Sequence, residues 1–177
     1  MEQMPYLKIS LKPLQTTDEF EQIRQWRNEQ MDILRQDHEI SVEEQRAYAE
    51  EYFEQTKWEH PLRALFGYWV RGVMYGYGGL VHIDWIGKSA ETSFLVNPSL
   101  KKDLLSYATH YLIFLQLLRA ASKQIGIEEW TSETFTDTGD HTRDLHIVLQ
   151  PAIFRDTKII MPDMSTVLMR SRINASD

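Results

Sequence analysis

The sequence predicts a mixed α/β (α+β) fold in which a mostly antiparallel sheet carries helices on both faces. Two observations support this. Residues 63–100 alternate β-branched and aromatic residues with glycine-containing turns, which is typical of an antiparallel meander. A long stretch with apolar residues at helical spacing follows. A meander followed by a crossover helix gives a mixed sheet with helices on both faces.

One strand and two capped helices come first. The strand is predicted over Tyr6–Leu11 and ends at Pro13. The segments Thr16–Glu19 and Ser41–Glu44 have the spacing of a capping box, so each predicts a helix start. The second helix is predicted to run to about Lys57. Large apolar residues supply the buried faces of the two helices: Phe20, Ile23, Trp26, Tyr48, Tyr52 and Phe53.

The meander and its long helix form the centre of the chain. Its strands are predicted over Ala64–Arg71, Met74–Trp85 and Ala90–Val96. Asn97-Pro98-Ser99 is typical of a helix start, so a helix is predicted over Ser99–Lys123. Its buried stripe is predicted from helical spacing: Leu104, Ala108, Tyr111, Leu112, Leu115 and Leu118.

The C-terminal part predicts a strand, a short helix and a closing hairpin. The strand is Ile127–Phe135 and the helix is Thr142–Gln150. The hairpin pairs Thr157–Met161 with Thr166–Ile173. No linker or low-complexity segment interrupts the chain, so residues 1–177 are predicted to form a single domain.

Composition excludes several functions. The net charge of -7 disfavours a nucleic-acid backbone as the main partner, and the absence of cysteine excludes disulfides and thiolate chemistry. His141 and His146 are five residues apart and do not share a helix face, so no metal site is predicted. No signal peptide or membrane-spanning run is recognised, so no membrane association is predicted and a cytoplasmic location is the default.

The junction between the third meander strand and the long helix suggests an anion site. A helix start exposes unpaired N–H groups and partial positive charge, which phosphate groups favour. Lys101 and Lys102 lie in this first turn, where the helix dipole disfavours cations. Either an anion binds there or both lysines are simply solvated.

Four segments, in this order and spacing, resemble the GCN5-related N-acetyltransferase superfamily. The similarity is greatest to its branch of ribosomal-protein N-terminal acetyltransferases and acetyltransferases of nucleotide-linked amino sugars. The segments are Ile23-Arg24-Gln25-Trp26-Arg27-Asn28, Ile40-Ser41-Val42-Glu43-Glu44-Gln45, Tyr75-Gly76-Tyr77-Gly78-Gly79-Leu80 and Ala90-Glu91-Thr92-Ser93-Phe94-Leu95-Val96-Asn97-Pro98.

The resemblance implies acetyl transfer from acetyl-CoA to the amine of a small molecule or a peptide N-terminus. It implies a pantetheine site along Phe94, Leu95 and Val96, with the pyrophosphate at the following helix start (Lys101, Lys102 and Asp103). It also implies acceptor-binding residues at the end of the first helix and on the facing strand (Trp26, Arg27, Asn28 and Tyr77). The oligomeric state stays open, and a homodimer is compatible with the sequence.

Two departures from the superfamily pattern keep other functions open. Leu104 and Ser106 stand where the phosphate loop usually has glycine and a small residue. Residues Thr142–Phe154 contain no tyrosine to protonate the leaving thiolate. One alternative is a catalytically degenerate protein of the same fold that binds a ligand or partner. Another is an interaction module that uses its acidic surface.

Two residues are candidate bases for the amine. Glu91 is the first candidate, because it begins the third meander strand with Ser93 and Leu95 on its face. His82 is the second, predicted on the same strand face as Leu80 and able to titrate near neutral pH. Each also has a plain reading, as a surface glutamate or as a hydrogen-bonded histidine of the sheet.

Overall fold

The computed structural model describes residues 8–34, 36–100, 104–135, 155–160 and 166–172. Within them, seven strands form one sheet of order β1-β2-β3-β4-β5-β7-β6. The strands are β1 (Ile9–Pro13), β2 (Ala64–Val70), β3 (Val73–Asp84), β4 (Ser89–Val96), β5 (Glu129–Phe135), β6 (Arg155–Ile160) and β7 (Thr166–Arg172). The α-helices are α1 (Thr17–Asn28), α2 (Val42–Gln55) and α3 (Leu104–Gln124).

The two N-terminal helices start as their sequences predict. The Glu19 N–H donates to Thr16 Oγ1 at 3.3 Å, and the Thr16 N–H donates to Glu19 Oε2 at 2.9 Å. Ser41 and Glu44 form the same reciprocal pair at 3.2 and 2.8 Å. Both capping boxes are therefore confirmed, and they fix where α1 and α2 begin.

The long helix begins later than predicted. Pro98–Leu100 forms a short 3₁₀ turn, and α3 starts at Leu104 instead of Ser99. The Asn97 side chain accepts the Ser99 N–H at 3.0 Å, which stabilises a local turn in place of a first helical turn. At the other end, α3 is followed by Gly126, whose φ of +80° is the left-handed conformation that commonly ends a helix.

The C-terminal hairpin is confirmed, because β6 and β7 pair antiparallel and β7 also pairs with β5. The predicted short helix Thr142–Gln150 lies outside the described residues. The single domain over residues 1–177 stays a prediction.

Helices cover both faces of the sheet, as predicted. α1 and α2 pack on one face, where Phe20, Ile23 and Tyr52 meet sheet residues such as Leu65. α3 packs on the other face. Its buried side chains there meet those of β2, β3 and β4 (Tyr68, Leu80, Val96, Tyr107, Tyr111, Phe114, Leu115 and Leu118). The alternation of side chains along β2 to β4 thus feeds two separate cores.

β4 and β5 separate after a short parallel contact. Their register runs from Ser89 opposite Glu129 to Glu91 opposite Thr131. Beyond this point β4 continues to Val96 against β3, and β5 continues to Phe135 against β7. The sheet therefore opens into a crevice beside the C-terminal half of β4, which we call the β4–β5 crevice.

His110 of α3 makes the stability of this fold depend on pH. Its Nδ1 lies 2.9 Å from the hydroxyl of Tyr68, and its ring packs at a tilt against the Tyr75 ring, with centroids 4.2 Å apart. Burial raises the pKa of Tyr68, so its hydroxyl stays protonated beside His110. Burial also lowers the pKa of His110.

The free energy of unfolding is expected to fall as the pH falls below about 6.5, the ordinary histidine pKa. Below that pH the histidine is protonated in the unfolded chain, whereas His110 in the folded protein, with its lowered pKa, stays neutral to a lower pH. Urea denaturation at about pH 8 and about pH 5.5 measures this loss. His38 has the opposite effect on the pH dependence of stability, because Asp37 and Glu44 raise its pKa in the folded protein. Measuring the same pH dependence in His110→Asn and subtracting it removes the His38 contribution, because both proteins contain His38. Equal pH dependence in both proteins would contradict the prediction.

Candidate functional site

A cavity of about 570 Å³ lies between the α1–α2 pair and the facing strands β3 and β4. Its wall combines apolar side chains of the core with charged and polar ones. Among the residues in this wall are Arg27, His38, Glu44, Tyr48, Arg63, Tyr77, His82, Glu91, Ser93, Phe94 and Leu95. The structure thus brings together most of the sequence-predicted catalytic and acceptor-binding residues in one place.

The two candidate bases form a hydrogen-bonded pair. His82 Nδ1 lies 3.0 Å from Glu91 Oε2. The Glu91 side chain is only 14% exposed, whereas that of His82 is 75% exposed. The carboxylate therefore faces the cavity and the imidazole connects it to solvent. This arrangement can take a proton from a group in the cavity and pass it to water.

The predicted strand face of His82 is wrong, because β3 is irregular at this point. The β3–β4 register shifts between Val81 and Asp84, and His82 adopts a φ of +51°. As a result, Leu80 and Ile83 both join the core under α3. His82 instead meets Glu91 beside the cavity. The bulge re-aims its side chain, a common role of bulges near functional sites.

Arg27 and Tyr77 meet across the cavity. Arg27 Nη1 donates to the Tyr77 hydroxyl at 3.2 Å, and Arg27 Nε donates to Gln36 Oε1 at 3.2 Å. The Coulombic interaction with Tyr77 is the largest cause that raises the pKa of Arg27, and burial opposes it. The helix end and the strand that the sequence predicts as acceptor-binding therefore do come together.

Trp26 and Asn28 do not line this cavity. Trp26 is 5% exposed and packs in the core under α1 and α2. Asn28 Nδ2 donates to the Ile40 carbonyl at 2.9 Å, and the Ile40 N–H donates to Asn28 Oδ1 at 2.9 Å. Asn28 thereby holds the segment before α2 in place. Their contact with an acceptor stays a prediction.

Asn28→Ala is expected to lower the free energy of unfolding by roughly 1–3 kcal/mol, because the Ile40 N–H loses its acceptor and the Ile40 carbonyl keeps only the Arg24 guanidinium as a donor. Chemical denaturation measures the change. Gln22→Ala, at an exposed position of α1, is the control and should change stability by less than about 0.5 kcal/mol. A similar small effect for both variants would show that the segment does not depend on Asn28.

Part of the β4 backbone faces the β4–β5 crevice. The Asn97 N–H donates to the Tyr75 carbonyl at 2.9 Å, which sets the phase of the β3–β4 ladder. Because antiparallel pairs alternate, the N–H and C=O groups of Phe94 and Val96 then point away from β3. Leu95 points its backbone to β3 and its side chain to the α1–α2 face.

Gln30 binds the last residue of β4, a role that the sequence analysis did not predict. Its Nε2 donates to the Val96 carbonyl at 3.0 Å and to the Trp26 carbonyl at 3.1 Å. Its Oε1 is buried and finds no hydrogen-bond partner among the described residues. A buried acceptor without a partner is costly unless a ligand supplies a donor. Only the position of Gln30 just after α1 hints at this role in the sequence.

The predicted pyrophosphate residues Lys101, Lys102 and Asp103 lie outside the described residues, as does the segment Thr142–Phe154. Among the described residues, no group of three His, Asp or Glu side chains lies close enough together to hold a metal ion. None of the described helices has the length and apolar character of a membrane span.

No protein-family model matches the chain, and no curated protein sequence matches it. Solved structures do match. Spermidine N-acetyltransferase from Vibrio cholerae, in complex with CoA and spermine, is 14% identical with a TM-score of 0.71, over 93% of this chain and 95% of that one. A domain from Methanocaldococcus jannaschii is 14% identical with a TM-score of 0.65, over 94% and 99%.

A ribosomal-protein alpha-N-acetyltransferase in complex with coenzyme A is also similar. It is 12% identical with a TM-score of 0.69, and the match covers 98% of this chain and 97% of that chain. At such identities the likeness concerns the fold. It is the fold that the four sequence segments and their order predict.

Proposed function

We propose that this chain, which has the fold of the GCN5-related N-acetyltransferases, transfers an acetyl group from acetyl-CoA to an amine. The observation that carries the proposal is the early separation of β4 from β5. It leaves a crevice on one side of β4, while the acidic Glu91 and the cavity lie beside the same strand. Two substrates can therefore approach β4 from different directions.

Acetyl-CoA would bind along the crevice. The N–H and C=O groups of Phe94 and the N–H group of Val96 suit the amides of the pantetheine arm, and the buried Gln30 Oε1 offers a further acceptor. Leu95 would contribute indirectly, because its backbone pairs with β3 and holds Phe94 and Val96 on either side of it along the pantetheine arm. We assign the pyrophosphate to Lys101, Lys102 and Asp103 at the start of α3, where a helix N-terminus favours an anion.

The acceptor amine would bind in the cavity on the α1–α2 side. Glu91 accepts its proton, and His82 returns that proton to solvent. Arg27 and Tyr77 hold the remainder of the acceptor, while Trp26 and Asn28 support the helix end that carries Arg27. The acceptor is a small molecule, such as a nucleotide-linked amino sugar, or a peptide N-terminus.

The chemistry needs little beyond positioning and one base. The amine lone pair attacks the thioester carbonyl, a C–N bond forms and the C–S bond breaks. The proton lost from nitrogen goes to Glu91, and CoA leaves as its thiolate, which takes a proton from solvent. Backbone N–H groups near Phe94 would stabilise the developing oxyanion, since a preorganised donor supplies much of such catalysis.

Calorimetric titration with acetyl-CoA, followed by a thiol-release assay with a panel of amines, tests the proposal. We expect saturable binding at micromolar to millimolar cofactor and thiol release that depends on the amine. Absence of binding at millimolar acetyl-CoA would overturn it. Binding without thiol release from any amine would favour a degenerate ligand-binding protein. The homodimer and the cytoplasmic location stay predictions.

A further inference from the structure

Arg27 is a half-buried cation in the wall of the cavity. Its recorded partners, the Gln36 amide and the Tyr77 hydroxyl, are both neutral groups. No Asp or Glu among the described residues lies within ion-pairing distance of its guanidinium. Arg24, one turn earlier on α1, pairs with Glu21 at 2.7 Å. A cation removed from water is costly unless an anion accompanies it, so Arg27 lacks a partner that Arg24 has.

Arg63 brings a second guanidinium to the same cavity. It lies over the Tyr48 ring, 5.0 Å from the centroid, and its Nη2 donates to Glu51 at 3.0 Å. Its Nη1 is buried and has no hydrogen-bond partner within the part of the chain that the structure describes. The cavity wall therefore holds an unused guanidinium donor in addition to the uncompensated charge of Arg27.

The acidic groups of the cavity wall are already engaged. Glu44 accepts from the backbone and hydroxyl of Ser41 and contacts His38. Glu91 pairs with His82. These carboxylates are therefore committed to a helix cap and to the proton path, and neither neutralises Arg27. The charge that is missing from this cavity is negative.

We propose that the acceptor carries an anionic group, a carboxylate or a phosphate, which binds Arg27 while its amine lies toward Glu91; this rests on the function proposed above. Guanidinium suits both anions, because it presents paired donors in a fixed plane. The same charge repels acceptors that are cationic throughout. Polyamines are therefore expected to be poor acceptors.

Matched amines that differ only by the anion test this. The pairs are ethanolamine with O-phosphoethanolamine, glucosamine with glucosamine 6-phosphate, and β-alaninamide with β-alanine; spermidine is the cationic comparison. The phosphate and carboxylate pairs separate the two anions. In at least one pair, the anionic member is expected to have a kcat/KM roughly 10–100-fold higher, the range for a charged hydrogen bond. Spermidine should be the poorest.

Arg27→Met is expected to reduce this preference to within about twofold and leave the KM for acetyl-CoA unchanged. Arg27→Lys should keep part of it, because the charge remains. Arg46→Met, at an exposed position of α2, is the matched control and should keep the full preference. In the wild-type protein, inorganic phosphate should compete with the preferred acceptor, which needs no variant to fold.

Turnover with equal or higher kcat/KM for the neutral amines would overturn the anionic acceptor and leave acetyl transfer intact. If no amine is acetylated, the proposed function fails, and calorimetric titration of O-phosphoethanolamine, glucosamine 6-phosphate and β-alanine against their neutral partners decides the anion site separately. Tighter binding of an anionic member that Arg27→Met abolishes would support it. Equal or absent binding would refute it.

Discussion

Gly78→Ala is expected to destabilise the protein strongly. A Cβ at this position would lie 2.9 Å from both the Phe114 ring and the Phe94 Cα, and closer still to the Ser93 carbonyl oxygen. Two of these three neighbours are backbone atoms of the paired strand β4. They cannot turn aside as a flexible side chain would, so β3 and β4 must separate or the α3 core must shift.

We expect a loss of at least about 3 kcal/mol in the free energy of unfolding, or a fall in Tm of roughly 6–12 °C, measured by denaturation of both proteins. Gly72→Ala is the control, since it adds the same methyl group at a turn where no atom lies within 4 Å. Its φ of +84° alone should cost about 1–2 kcal/mol. Equal losses in the two variants would mean that packing against β4 is not what requires glycine at position 78.

Local rules of sequence predict much of this fold. Capping boxes place the starts of α1 and α2, because a side chain three residues from the cap decides the start without help from the rest of the chain. The glycine-rich strand β3 is recognisable from the residues around its glycines. Four sequence segments, taken with the order of strands and helices, then identify the acetyltransferase fold that the solved structures share.

The candidate site is less accessible to such reasoning, because it depends on contacts between distant segments. The bulge at His82 follows from the β3–β4 register, which a single strand does not reveal. Gln30 reaches Val96 across 66 positions of the sequence, and Arg27 reaches Tyr77 across 50. Arg63 precedes a strand and carries no motif, so its place in the cavity emerges only from the packing of α2 on β2.

Glu91→Gln is expected to lower kcat for acetyl transfer by roughly 10²–10⁴-fold at neutral pH, the usual contribution of a general base. Glutamine keeps the size of the side chain and its contact with His82, but it cannot take a proton. Because the change acts on the chemical step, the KM for acetyl-CoA should stay nearly constant. Steady-state thiol release measures both quantities, and unfolding curves of the two proteins check that the fold is intact.

His82→Gln distinguishes two roles for the pair. If Glu91 is the base, loss of the imidazole slows only the return of the proton to solvent, and Glu91 still exchanges with water, so kcat should fall about tenfold or less. If His82 is the base and Glu91 orients it, the histidine variant should be the more damaged of the two. The exposures favour the first role. Both side chains line the cavity, but the 14% exposed Glu91 is enclosed with the amine, whereas the 75% exposed His82 is open to solvent. A kcat for Glu91→Gln within threefold of the wild type would remove the carboxylate from the chemistry altogether.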